Sequence, residues 1–230
     1  MPFPFNIRLI AALSAGLVAL LLADLSGAQD LTTAKDAAYA AQAPLLAPDQ
    51  YEDAEAAGER AERLASSGSD RAAEAIAAAI AQFDAARDLA EERARFLSAA
   101  LAARDNALTA GANTADNEFW EQAEEALEDA VSALERKRDE PARTNAEAAR
   151  VNFDQAELQA LQDSTLRAAR ERLIAADKLR AKRYAPTTLA RGYELVAQAR
   201  AVLEQDRDAR DAAARLSALA EAHAERAIQI

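Results

Sequence analysis

Residues 69–110 read SDRAAEAIAAAIAQFDAARDLAEERARFLSAALAARDNALTA, with neither glycine nor proline in the stretch. Within it, positions 76, 80, 83, 87, 90, 94, 97, 101, 104 and 108 carry Ile, Ile, Phe, Arg, Ala, Ala, Leu, Leu, Arg and Leu. Steps of three and four give a 3.5-residue seam, the spacing that keeps one helix face against a neighbour. The period-two alternation of a half-buried strand is missing. A second unbroken stretch, 142–185, holds Leu158, Leu161, Leu166, Ala169, Leu173 and Ala176 at similar steps. Two helices of about forty residues are expected, each ~60 Å long.

Breakers place the remaining elements. Gly68, Gly111 with Asn113, Pro141 and Pro186 interrupt the chain, leaving shorter helices near Asp49 to Ala65, Asp116 to Lys137 and Thr187 to Gln205. Pro48, Pro141 and Pro186 fit a first helical turn, where the missing amide is no loss. A period of 69 residues relates these pieces. Tyr51, Trp120 and Leu189 coincide at that shift, as do Asp70, Asp139 and Asp208. Pro48 and Pro186 stand two periods apart, and after a one-residue slip Phe83, Phe153 and His223 coincide. Each of the three aspartates sits where its carboxylate could accept the free amide protons that open a helix.

The expected fold is all-α: three tandem antiparallel three-helix bundles sharing the long helices, organised like spectrin-type rods with shorter units. The expected segments are 1–28, 29–90, 91–160 and 161–230. Helices of ~20 residues end to end would make a rod of ~90 Å. Composition agrees: 66 residues are alanine, 29% are charged and 5% are aromatic, the bias of long helices and coiled coils. Alanine seams bury little area per residue, so a lone unit should be marginal and draw stability from its neighbours.

The first segment has the features of a cleavable secretory signal. Arg8 precedes an apolar run from Leu9 to Ala23, and Ser26-Gly27-Ala28 supplies small residues for cleavage after Ala28. The alternative is an uncleaved membrane anchor, but fifteen apolar residues fall short of the ~20 that span a bilayer; after cleavage no stable membrane span is expected. The chain has no cysteine. Disulfides, thiol catalysis, a lipid-bearing cysteine and cysteine-held metals are thereby excluded. A formal net charge of −12 argues against nucleic acid, whose binding rests on counterion release around Lys and Arg. Basic clusters at Arg136-Lys137-Arg138 and Lys178 to Arg183 sit where helix C-termini favour cations.

Tyr184-Ala185-Pro186, followed by Leu189, Leu195, Ala199, Leu203 and Asp208 and an alanine-rich helix to Ala227, resembles a known pattern. It is that of the alanine-rich helical repeat domain of unknown function in proteobacterial envelope lipoproteins and N-terminal to OmpA-like domains. Leu46-Ala47-Pro48, Tyr51 and Ala54 to Ala61 match it again, while the middle unit lacks the proline. The resemblance implies residence in the periplasm, with association at the outer membrane, and envelope proteins as partners. This sequence holds neither the lipoprotein cysteine nor an OmpA-like domain, so peptidoglycan binding does not carry over.

No glycine-rich phosphate loop, Ser-His-Asp arrangement or HExxH helix is present, so no enzyme activity, cofactor or metal is expected. His223, the one histidine, has no Cys and no Met beyond Met1 to join it; packing is its expected role. Glu124-Glu125 reads as solvated helix charge. Tyr51, Phe119, Trp120 and Tyr193 are the aromatic residues to follow. Phe119 and Trp120 are adjacent and cannot both enter one narrow seam, so they are the candidate partner-docking pair. The expected function is a non-enzymatic envelope spacer or scaffold. The alternative is a periplasmic binding or chaperone-like adaptor using an interhelical groove.

Overall fold

The computed structural model describes residues 27–114 and 116–230, and the regular structure among them is α-helical throughout. The expected signal, 1–28, lies almost wholly outside the described residues. In chain order the helices are α1 (27–40), α2 (Ala43–Leu46), α3 (Pro48–Ser66), α4 (Ala72–Phe96) and α5 (Ser98–Thr109). They continue as α6 (Glu118–Glu135), α7 (Asp139–Lys178), α8 (Ala181–Tyr184), α9 (Pro186–Gln205) and α10 (Arg210–Gln229). Pro48 and Pro186 open α3 and α9 at the first helical turn, as their ring geometry favours.

The chain divides into two compact units, one running through Leu97 and taking in Leu134–Lys137, the other holding Ser98–Ala133 and Arg138–Ile230. In the first unit α3 runs antiparallel to α4. Tyr51 packs edge-on to Phe83 with centroids 5.7 Å apart, and further along Arg93 reaches the Leu46 carbonyl. Lys35 on α1 pairs with Glu55 at 2.9 Å, and a Cβ at Gly27 would lie 3.6 Å from Ile76. These contacts set α1 antiparallel to α3.

In the second unit α7 is one unbroken helix of 40 residues. It contacts α5, α9 and α10; α6 reaches it through Trp120 at Phe153, and Asn117, the residue before α6, bonds the Ala156 carbonyl. Residues of α9 and α10 meet its later turns. Gln162 bonds Glu204, Ser217 donates to the Thr165 carbonyl, and Arg172 pairs with Glu221 and Glu225.

The first long stretch differs from expectation. Its helix begins at Ala72 and is interrupted at Leu97 (φ −93°, ψ 11°), although the Leu97 amide still donates to the Arg93 carbonyl at 2.9 Å. Its buried residues are 72, 76, 79, 83, 86, 90, 93, 97, 100, 103 and 107. That is a seam of three- and four-residue steps, but at 79, 86, 93, 100, 103 and 107 it lies one residue earlier than the expected 80, 87, 94, 101, 104 and 108. Ile80, Leu101 and Leu108 are half-buried, while Ala79, Ala100 and Ala107 take the axis-facing positions. Small residues let helix backbones approach closely, and the larger neighbours cover the seam from its edge. In α7 Phe153 and Leu166 are thirteen residues apart, against fourteen for Phe83 and Leu97. One missing residue puts a 3.5 seam out of step, and the buried stripe widens there to Ala156-Glu157 and Leu161-Gln162.

The backbone itself repeats. Gln42, Gly111 and Arg180 hold left-handed φ of 59°, 78° and 61°. Each donates its amide proton to the carbonyl three residues back, Tyr39, Leu108 and Asp177, at 2.9 Å. Gly68 and Lys137, also one period apart, hold φ 65° and 55°. Their helices close alike: Ser69 donates to Leu64 and Arg138 to Ala133, the long reverse bond of a Schellman end. The third copy departs, because Asp206 is extended and its Oδ1 accepts the Asp208 amide proton. The aspartates expected to cap helices do not do so. Neither α4, α7 nor α10 has a side-chain cap, and Asp139 is itself the first residue of α7.

Candidate docking surface

Phe119 and Trp120 lie in the first turn of α6. Asn117, 3% exposed, fixes that turn: its Nδ2 donates to the Ala156 carbonyl on α7 at 3.1 Å, and its Oδ1 accepts the Trp120 amide proton at 3.3 Å. Trp120 is turned inward. Its ring meets Phe153 edge-on at 5.2 Å and 61°. The Arg104 guanidinium lies 5.6 Å from the indole centroid and pairs with Glu124 at 2.7 Å. Phe119 points outward and is 38% exposed. The adjacent aromatics thus divide as helix geometry requires, Trp120 half-buried against α7 and Phe119 a surface apolar group.

Tyr51 is buried against Phe83. Tyr193 is exposed, with its hydroxyl donating to the Asp177 carboxylate. That bond, with burial and the Asp177 charge behind it, pushes the phenol up to about 12. Leu189, third in the Tyr51 and Trp120 series, is buried beside Leu173 and Ala185. His223 packs near Gly192 on α9, and its Nδ1 is buried without a hydrogen-bond partner.

Three polar groups that the sequence does not single out lie buried at element crossings. Arg93 donates through Nη1 to the Leu46 carbonyl at 2.7 Å and to Glu135 at 3.3 Å. Gln162 faces Glu204 at 3.5 Å. Glu157 accepts from Arg207 at 3.0 Å, and Asp154 stands 3.5 Å from the same guanidinium. The period relates the first two pairs, Arg93 with Gln162 and Glu135 with Glu204. A buried polar residue recurring at that spacing is the signal that could have found them.

One open groove of about 1010 Å³ runs between α3 and α4 of the first unit. Its lining mixes small apolar groups, Ala57 and Ala75 among them, with charges of both signs, Asp53 and Glu74 beside Arg60 and Arg71. Among the described residues no group of three or more His, Asp or Glu is placed to hold a metal ion, and no helix is long and apolar enough to cross a membrane. Neither a family model, nor a curated protein, nor a solved structure matches the chain.

Proposed function

We propose that this chain is a non-enzymatic spacer or scaffold of the bacterial cell envelope, built as three antiparallel three-helix bundles in series that share their long helices. The observation that carries it is α7. One helix of 40 residues measures ~60 Å, with α6 and the residue before it packed on its earlier turns at Phe153 and Ala156, and α9 and α10 on its later ones. A helix that serves two sets of neighbours in succession sets a distance. The buried polar groups support the same reading, because they are used to tie backbone and turns together: Arg93 on a carbonyl, Asn117 on a carbonyl, Glu157 on an arginine.

Placement in the periplasm rests on the apolar run Leu9 to Ala23, the absence of cysteine and the resemblance to envelope helical repeats. Envelope proteins are the partners this reading calls for, with Phe119 as a surface contact. Small-angle scattering of the mature chain tests it. A compact chain of about two hundred residues has a radius of gyration of ~17 Å. A spacer gives a value well above that, and a value near it contradicts the proposal. The α3–α4 groove favours a second reading, an adaptor that receives a helix or peptide between its own helices; a compact particle would support that one.

A further inference from the structure

We draw no further inference here: the strongest candidate, the outward face of α6, where Glu118, Glu121, Glu125, Glu128 and Asp129 stand exposed with Phe119, is an acidic surface patch, and nothing in the structure shows what covers it.

Discussion

Gln42 and Arg180 stand two periods apart and hold the same left-handed backbone, φ 59° and ψ 32° against φ 61° and ψ 29°. Each is followed by one turn of helix, then by an alanine at φ near −140°, then by a proline that opens the next helix. Neither residue type prefers φ above zero, which costs an L-residue of this kind ~1 kcal/mol. The middle copy uses Gly111 at φ 78°, which adopts this conformation without that strain.

The turn positions are therefore exchangeable between copies. Lys137→Gly, at the position Gly68 fills one period earlier, should stabilise the chain by ~0.5–1 kcal/mol. Gly111→Ala should cost ~1 kcal/mol or more, although nothing lies within 4 Å of the added Cβ. Urea midpoints of the two variants, moving in opposite directions at unchanged slope, are the measurement.

Two helical glycines should respond with opposite signs. A Cβ on Gly58 meets Phe83 at 3.4 Å, ordinary contact, and alanine suits a helix better than glycine; Gly58→Ala should stabilise by up to ~1 kcal/mol. A Cβ on Gly192 meets the Leu173 Cδ2 at 2.7 Å and the Ala220 carbonyl at 3.4 Å. Leu173 is buried and cannot swing clear, so Gly192→Ala should destabilise by ~1–3 kcal/mol. Equal shifts of the thermal midpoint in the same direction would remove this account of the close α9–α10 approach.

Arg93 is buried between a carbonyl and a carboxylate. Arg93→Ala strands both acceptors and should cost ~2–4 kcal/mol. Gln162→Ala, at the corresponding crossing, breaks a longer neutral-to-charged bond and should cost ~1 kcal/mol. Denaturant titration of the two variants tests the ranking.

The phenol of Tyr193 is raised to about 12 by its bond to Asp177. Its folded value lies above the ordinary ~10 of an unfolded chain. The stability that the bond contributes is complete below pH ~10 and is lost as pH rises through about 12. Of the four tyrosines, Tyr193 should contribute a late step to the tyrosinate absorbance titration that Tyr193→Phe removes. The stability gap between wild type and Tyr193→Phe should be constant at neutral pH and close above that range.

Helical class, the helices opened by Pro48 and Pro186, and the 69-residue period were legible in the sequence, because proline and turn-glycine positions such as Pro48, Pro186, Gly68 and Gly111 are dictated by the backbone rather than by packing. The order of the seam was not. Its reading followed Ile80, Leu101 and Leu108, whereas close-packed axes select Ala79, Ala100 and Ala107. Arg93 was hidden for the same reason: a charged residue in a charged sequence carries no mark of burial until the carbonyl it serves is seen. Asn117 replaces the proline of the other two copies, and only the backbone shows that its side chain holds the aromatic turn in place. The division between Phe119 and Trp120 needed nothing beyond their adjacency.

The unbroken length of α7 is the feature from which the spacer reading follows. Spin labels on Glu140→Cys and Lys178→Cys, both at exposed sites of that helix, measure it by electron–electron double resonance. A straight helix places the two backbones roughly 55–60 Å apart. A single narrow distance in that range is the expected result; a distribution centred near half of it, from a helix that bends or breaks between Phe153 and Leu166, would contradict the account.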